Sequence, residues 1–155
     1  MSLEEAKQAV YSFTYGVYLV TTQMAEERSG MTAVWVSQIS KDPIHVILGL
    51  TPDSATTQLL LRSGIFAINV LAPEHKDLAY AMGRVTSKEA DKFIGLSTHS
   101  RVTGAPILSD AIAYLDCKLV SHSVVGSHLV MVGEVVDGAV LREVNPAVYR
   151  NGKIF

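Results

Sequence analysis

Two strands joined by a turn are predicted by the stretch MTAVWVSQISKDPIHVILGL, residues 31–50. Residues 31–40 are predicted to be extended, because both faces of that segment are mostly apolar or small. A turn is predicted at Lys41, Asp42 and Pro43, and a further strand, IHVILGL, over residues 44–50. Strands of this kind set the pattern for most of the chain.

The rest of the chain is predicted to be mostly strands, with helices inserted in its first two thirds. Further strands are predicted over residues 17–22, 65–71, 114–125 and 129–136, with a weak one over 139–141 and a polar turn over 23–30. Helices are predicted over residues 3–15, 53–62, 73–83 and 87–94. A doubly wound sheet would alternate strand and helix regularly, and no GxGxxG motif occurs. The predicted fold is therefore mainly β, an antiparallel barrel with peripheral helices.

The composition favours one domain that covers residues 1–155 and associates with a second copy. A chain of 155 residues suffices for one domain with its own core. Charged residues make up 18% and hydrophobic residues 48% of the chain, whereas a typical soluble domain has roughly 25% charged residues. A surface this poor in charge is expected to be partly buried against another subunit. A compact monomer with a large core is the alternative.

Several classes of partner are excluded by charge and hydropathy. The formal net charge is −2 and no run of Lys or Arg occurs, so no nucleic-acid partner is expected. No apolar stretch approaches the roughly 20 residues of a membrane span, and the start MSLEEAKQ is unlike a signal peptide. Cys117 is the single cysteine, so an intrachain disulfide is excluded and an inert core thiol is expected. These features predict a soluble cytoplasmic protein without a membrane partner.

A phosphate site is one of two interpretations of residues 51–57, TPDSATT. A helix that starts there presents unpaired backbone N–H groups and a partial positive charge, and the hydroxyls of Ser54, Thr56 and Thr57 add donors. The alternative is ordinary capping by Asp53 or Ser54, with the threonines incidental. The charge of Asp53 counts against phosphate unless that side chain points away.

A surface for a flat ring is one interpretation of residues 30–38, GMTAVWVSQ. Thr32, Ala33 and Ser37 are small, and backbone N–H and C=O groups at a strand edge would bond to polar ring edges. The alternative is a half-buried strand in which Trp35 fills the core or an interface.

The remaining candidates are more scattered. His128, between two long strands, is either a surface or capped histidine or one that binds a cofactor or passes a proton. The five histidines do not cluster and no cysteine joins them, so no metal site is predicted. No GxSxG elbow supports a hydrolase. Residues 84–93, RVTSKEADKF, form either a solvated loop or one that closes over an anion through Arg84, Lys88 or Lys92.

Eight segments span nearly the whole chain in order: YGVYLVTT (15–22), GMTAVWVSQIS (30–40), ILGLTPDSATTQLLLRSGIFAINVL (47–71), DKF (91–93), GAPIL (104–108), LDCKL (115–119), GSHLVMVGEV (126–135) and YRNGKIF (149–155). Each alone carries little information. Together, with their order and spacing, they resemble the flavin reductase-like family of FMN-binding split barrels.

The resemblance implies a split antiparallel β-barrel that forms a homodimer, with one bound FMN per subunit near the interface. Residues 32–37 would lie along the isoalloxazine ring, the helix start near residue 54 would hold the phosphate, and the loop before residue 93 would close near the cofactor. The residues thus predicted to bind the cofactor are Thr32, Ala33, Val34, Trp35, Val36, Ser37, Thr51, Ser54, Ala55, Thr56, Thr57, Lys88 and Lys92.

His128 matches the histidine of the family's Gly-Asp-His pattern near the flavin and nicotinamide pocket. It is the one residue predicted to act in catalysis, by orienting the substrate. Ser127 replaces the aspartate of that pattern, which changes the hydrogen bonding that orients His128 and weakens the assignment of an efficient nicotinamide-using reductase.

The resemblance implies an oxidoreductase that passes hydride from NAD(P)H, a co-substrate, to FMN and electrons onward, with the redox chemistry carried by the flavin. Two alternatives stay open. One is an electron-transfer protein with prosthetic FMN that exchanges electrons with a protein partner. The other is a flavin-binding module without redox work.

Overall fold

The computed structural model describes residues 2–84 and 91–155 of the chain. The helices are α1 (Leu3–Val10), α2 (Ala55–Ser63) and α3 (Lys76–Arg84), the last preceded by a 3-10 turn at Pro73–His75. The strands are β1 (Tyr15–Gly16), β2 (Tyr18–Met24), β3 (Glu27–Ala33), β4 (Val36–Lys41), β5 (Ile44–Leu50), β6 (Ile65–Val70), β7 (Thr98–His99), β8 (Ile107–Leu108), β9 (Ala113–Val125), β10 (His128–Val140), β11 (Val148–Arg150) and β12 (Lys153–Ile154). Within the described ranges, no helix is long and apolar enough to cross a membrane.

Seven of the strands form one antiparallel sheet in the order β3-β2-β6-β9-β10-β5-β4. One buried cluster joins side chains from six of these strands and from α2: Val20, Ala33, Val46, Leu48, Leu50, Leu60, Phe66, Ile68, Cys117, Leu129 and Met131. Strands so far apart in the sheet share one core only because the sheet curls on itself. The two edge strands, β3 and β4, stay unpaired with each other, so the barrel is split between them. The prediction of a mainly β, antiparallel split barrel is confirmed.

Residue alternation explains why β5 forms where it was predicted, at residues 44–50. Val46, Leu48 and Leu50 are buried while the residues between them are only half-buried. This period of two places every second side chain in the barrel core. Burying one such side chain is worth about 2 kcal/mol relative to leaving it exposed.

The side chain of Phe66 on β6 packs closely against the backbone of β10 at Gly133. A Cβ atom on Gly133 would lie 2.3 Å from Cζ of Phe66, a fully buried ring. Only glycine leaves room for this ring against the strand. The glycine therefore fixes how closely the Phe66 ring packs on β10.

The continuous extended segment predicted over residues 31–40 is wrong at its centre. β3 ends at Ala33 and β4 begins at Val36, with Val34 and Trp35 between them. The strand must break there because β3 pairs with β2 while β4 pairs with β5 at the opposite edge of the sheet. The chain crosses the split of the barrel at this point.

The polar turn predicted over residues 23–30 is also wrong in extent, since β2 runs to Met24 and β3 begins at Glu27. The polar residues of this hairpin find partners elsewhere in the fold. Arg28 forms an ion pair with Asp91, and Glu27 with Arg62. Pairing across the fold outweighs the local turn preference of these residues.

Two helix predictions differ from the structure. The helix predicted over residues 3–15 ends at Val10, because Tyr15 and Gly16 pair with Tyr149 and Val148 as strand β1. Of the helix predicted over residues 87–94, residues 87–90 lie outside the described residues. Residues 91–94 form a turn in which the Asp91 carboxylate accepts the N–H of Phe93. The weak strand predicted over 139–141 is the end of β10.

Candidate functional site

An open cleft of about 180 Å³ lies where the chain crosses the split of the barrel. The end of β3, the end of β5 and the start of β10 meet there. The cleft is lined by Met31, Thr32, Ala33, Val34, Trp35, Gly49, Leu50, Thr51 and His128. We call it the ring cleft, because its lining is largely apolar and suits a flat aromatic molecule.

Trp35 lies directly on the backbone of β5. Its carbonyl accepts the N–H of Gly49 at 2.9 Å, and a Cβ atom on Gly49 would come within 3.3 Å of the Trp35 side chain. The missing side chain of Gly49 therefore lets the indole approach the strand. Trp35 keeps 47% of its surface exposed, so an aromatic face remains open to a ligand.

His128 also lines the ring cleft, where it packs directly against Trp35. Its imidazole centroid lies 4.7 Å from that of Trp35, with the planes tilted by 52°. Nδ1 of His128 and Oγ of Ser127 are 2.9 Å apart, within hydrogen-bond distance. The serine thus holds the imidazole through Nδ1, and the ring presents Nε2 as its second polar atom.

The residues predicted to follow the ring divide at the strand break. Thr32, Val34 and Trp35 line the ring cleft, and Ala33 lines it while most of its surface is buried in the core. Val36 and Ser37 lie beyond the break, paired with Leu48 and Ile47 in the sheet, and the cleft lining does not include them.

The helix start at residue 54 has the predicted capping geometry. Ser54 is the N-cap of α2, and its Oγ accepts the N–H of Thr57 at 3.0 Å. The helix ends at Gly64, whose φ of 71° lies in the left-handed region. The N–H groups of Ala55 and Thr56 lie in the first turn, where no intrahelical acceptor exists. Thr51, which shortly precedes the helix, lines the ring cleft.

The threonine hydroxyls of this segment point inward. Thr56 and Thr57 are buried, with 2% and 0% of their surfaces exposed. The hydroxyl of Thr56 lies 2.7 Å from that of Ser29, and Thr57 Oγ1 accepts a hydrogen bond from Ser54 at 2.7 Å. In this conformation neither of these two hydroxyls faces solvent at the helix start.

Lys92 ties the segment after residue 90 to the barrel. Its Nζ donates to the carbonyls of Gly30 and Met82 at 3.0 and 2.9 Å. The neighbouring Phe93 is buried, with the Arg28 guanidinium 4.8 Å from its ring centroid. The other lysine predicted at the cofactor, Lys88, lies outside the described residues.

Three residues of the ring cleft, Met31, Gly49 and Leu50, are not among the residues predicted from the sequence to bind the cofactor. A glycine inside a predicted strand is a signal for close backbone approach, which could have identified Gly49. Leu50 carries no such signal, because its sequence pattern is that of any core strand residue.

The thiol of Cys117 is excluded from the site chemistry. Burial, and to a smaller extent the neighbouring Asp116 carboxylate, raise the pKa of this thiol to about 12. A neutral buried thiol is a poor nucleophile. The structure is consistent with the inert core cysteine expected from the sequence.

The chain is similar to flavin reductases along most of its length. A family model described as "Flavin reductase like domain" matches residues 10–155. The ferric-chelate reductase (NAD(P)H) of Archaeoglobus fulgidus is 31% identical over 144 residues, which is 92% of this chain and 85% of the relative. The FMN reductase (NADH) RutF 2 of Methylorubrum extorquens is 33% identical over 133 residues, 85% of this chain and 76% of the relative.

Some relatives are much longer than this chain. The diflavin flavoprotein A 1 of Synechocystis sp. is 30% identical over 141 residues, which cover 89% of this chain. The match spans 24% of that protein's length. The chain therefore corresponds to about a quarter of this relative.

Solved structures share the fold. The flavin reductase HpaC, in complex with NADP⁺, superposes with a TM-score of 0.85 and 29% identity, covering 99% of this chain and 97% of the other. The NADH:FAD oxidoreductase SgcE6 of Streptomyces globisporus C-1027 superposes with a TM-score of 0.90 at 24% identity, covering 98% and 91%.

Proposed function

The chain belongs to the flavin reductase-like family, and from this premise we propose that it binds FMN and passes hydride from NAD(P)H to it and electrons onward. The observation that carries the proposal is the ring cleft, a mostly apolar opening at whose side Trp35 and His128 pack against each other. The names of two relatives, an NAD(P)H ferric-chelate reductase and an NADH-dependent FMN reductase, support the same chemistry.

The residues of the ring cleft fit a flavin. A tricyclic ring needs a flat apolar wall, which the end of β3 supplies, and backbone groups at its polar edge. The first turn of α2, which follows Thr51 of the cleft, offers the N–H groups of Ala55 and Thr56 to a phosphate. We assign Ser54, Thr56 and Thr57 to this phosphate site as the residues that shape the turn.

The chain's own residues contribute binding and orientation to the reaction. FMN, when bound, supplies the ring that accepts the hydride. His128 orients the nicotinamide through Nε2 while Ser127 holds Nδ1. No protein acid or base is needed for the hydride step, so positioning is the main contribution of these side chains.

We further propose that residues 1–155 form one FMN-binding domain that works as a homodimer in the cytoplasm. Exposed apolar side chains on the outer half of β9 support an interface, namely Val120, Val124 and Val125. This half of β9 extends past its pairing with β6, which ends at Lys118. An exposed strand edge with apolar side chains is suited to a second subunit.

A second candidate is an electron-transfer module with prosthetic FMN. The match to about a quarter of a diflavin flavoprotein favours it, because in that relative the similar segment is one part of a larger protein. In this case the protein would take electrons from a protein partner rather than directly from a nicotinamide.

The deciding experiment is anaerobic visible absorbance of the FMN-loaded, desalted protein before and after addition of NADH, then NADPH. A flavin band that stays with the protein and bleaches rapidly supports the reductase and identifies its nicotinamide. A band that is retained without bleaching favours the electron-transfer module. Absence of FMN binding at any concentration contradicts both.

Matched histidine variants locate the site. We expect His128→Ala to slow bleaching, because the orienting imidazole is lost, while His99→Ala has no effect, since His99 is exposed on β7 outside the ring cleft. FMN binding itself is followed by quenching of Trp35, the single tryptophan of the chain. Equal bleaching rates in the two variants would remove His128 from the proposed site.

A further inference from the structure

Met31 connects the ring cleft to the start of α2. It lies on β3 and contributes to the lining of the cleft, where its side chain is half-buried. Its Sδ atom lies 3.4 Å from Oγ of Ser54, the N-cap of α2, and 4.0 Å from Oγ1 of Thr57. A chemical change at this sulfur therefore reaches both the surface proposed for the flavin ring and the turn proposed for its phosphate.

The surroundings of this sulfur differ from those of the other methionines. Met82 and Met131 are buried, with 2% and 0% of their surfaces exposed. Met24 is 46% exposed at the end of β2 and does not line the ring cleft. Met1 lies outside the described residues. Among the methionines that the structure describes, Met31 is thus the one that lines the open cleft and also contacts the start of a helix.

The sulfur of Met31 lies among hydroxyl donors. A thioether is only a weak hydrogen-bond acceptor. The hydroxyl of Thr57 donates to this sulfur, and Thr57 is fully buried, so its donor has a weak partner and no access to water. Oxidation of the thioether to a sulfoxide adds a polar oxygen beside the same hydroxyls. The contacts around Met31 therefore favour an added oxygen atom at the sulfur.

We propose that Met31 is a site of reversible oxidation by hydrogen peroxide, and that its sulfoxide form weakens flavin binding. The inference rests on the proposed function for the source of the oxidant, because oxygen that takes two electrons and two protons from a reduced flavin becomes hydrogen peroxide. The O–O bond of the peroxide breaks, one oxygen atom bonds to Sδ of Met31, and the other leaves as water. The sulfur loses the two electrons that the peroxide gains.

The sulfoxide changes both parts of the proposed flavin site. In the ring cleft it replaces an apolar thioether by a polar group, which suits a flat apolar ring less well. At the start of α2 its oxygen carries partial negative charge close to Ser54, where it competes with a phosphate for the positive end of the helix. Peroxide from a reduced flavin would therefore unload the protein that produces it.

Peroxide treatment of the FMN-free protein tests the proposal without turnover. We expect peptide mass spectrometry to find one added oxygen atom at Met31 before any appears at the buried Met82 and Met131. Titration with FMN, followed by flavin fluorescence, should then show an affinity weakened by about tenfold or more. A methionine sulfoxide reductase should restore both the mass and the affinity.

Met31→Leu and Met24→Leu form a matched pair. Each substitution removes one thioether with little change in volume, and each protein is compared with itself before and after peroxide. Met24→Leu should lose FMN affinity on treatment as the parent protein does, whereas Met31→Leu should keep the affinity that it had before treatment. Equal losses in the two variants would overturn the proposal, since another side chain would then be the target. An unoxidised Met31 in the treated parent protein, or an oxidised Met31 with unchanged FMN affinity, would overturn it as well.

Met31→Gln tests the consequence without an oxidant. Glutamine is similar to methionine in length and carries a polar oxygen near the position of the sulfoxide, so we expect the untreated variant to bind FMN about as weakly as the oxidised parent protein. An FMN affinity equal to that of the untreated parent protein would contradict the proposal. If the parent protein fails to bind FMN, the proposed function fails, whereas the mass spectra still decide whether Met31 is the peroxide-sensitive methionine.

Discussion

The start of α2 and the end of α3 both carry donors suited to an anion, but the fold uses them differently. At the start of α2, the hydroxyls of Thr56 and Thr57 are buried and bonded to serine hydroxyls. At the end of α3, the charge of Arg84 has no carboxylate partner in the described residues. A sequence shows which residues carry hydrogen-bond donors, but it does not show which donors are already bonded to another group of the protein.

Lys92 resembles the start of α2, because its donor group is also bonded within the protein. The family resemblance predicts it as a cofactor ligand, and in the structure its ammonium donates to two backbone carbonyls of the protein. Donors that are already bonded within the protein therefore contribute to its stability, whereas donors without such a bond are available to a ligand. Substitutions of occupied donors are expected to change folding, and substitutions of open donors to change ligand affinity.

The largest effect is expected from Lys92→Met. The side chain keeps its apolar length, but the carbonyls of Gly30 and Met82 lose a charged donor, which should lower the free energy of unfolding by about 2 kcal/mol. Urea denaturation measures the change. Lys41→Met is the control, because Lys41 is exposed at the end of β4. If Lys92→Met unfolds like the control and loses FMN affinity, the lysine serves the ligand instead.

Thr56→Val is the next test, because the two side chains have nearly the same shape. Removing the hydroxyl breaks its buried bond to Ser29, and we expect a loss of about 1 to 2 kcal/mol in stability with FMN affinity retained. Thermal and urea unfolding, together with Trp35 quenching, report both quantities. A stable protein with weakened FMN binding would show that the Thr56 hydroxyl turns outward to the phosphate.

Whether a feature of this fold can be predicted from the sequence depends on how far apart in the chain the interacting residues lie. Strand β5 and, to within two residues, the boundaries of α2 were predicted, because alternation, the Ser54 cap and Gly64 are local signals. The break at Trp35 depends on which strands pair, and no local pattern records that.

The candidate site shows the same limit. Ring-cleft residues such as Thr32 and His128 were named from a family resemblance, and the structure brings them together. The inward orientation of Thr56 depends on Ser29, which is 27 positions away in the chain. The cleft of about 270 Å³ lined by Tyr80, Tyr149 and Ile154 depends on α3 meeting β11 and β12, which are distant in sequence.

A smaller effect is expected from Ser54→Ala. The N-cap hydroxyl accepts the N–H of Thr57, and its removal should cost about 1 kcal/mol of stability. The first turn of α2 should then fray and weaken FMN binding as well, since the backbone N–H groups lose their fixed direction. Ser54→Asp, which restores a cap but adds negative charge, should recover stability without recovering FMN affinity. Recovery of both would show that no phosphate lies at this turn.

The smallest effect concerns acid stability at the anchor of Lys92 and Phe93. The hydrogen bond from Arg28 holds the pKa of the Asp91 carboxyl below its usual value, and the Phe93 N–H bond lowers it further. A carboxyl with a lowered pKa in the folded state stabilises the protein above the unfolded-state pKa, which is about 3.9. That contribution is lost as the pH falls through the folded-state pKa. Because the pair is exposed, the loss should be small.

Asp91→Asn removes this titration and isolates its contribution. We expect the variant to be slightly less stable than the parent protein at pH 7, and the difference to shrink as the pH falls below about 4. Melting temperatures measured from pH 3 to pH 7 for both proteins give the comparison, with Asp53→Asn as an exposed control. A difference that stays constant over this range would mean that the Arg28 pair adds nothing to the anchor, and that the contacts of Lys92 and Phe93 alone hold it on β3.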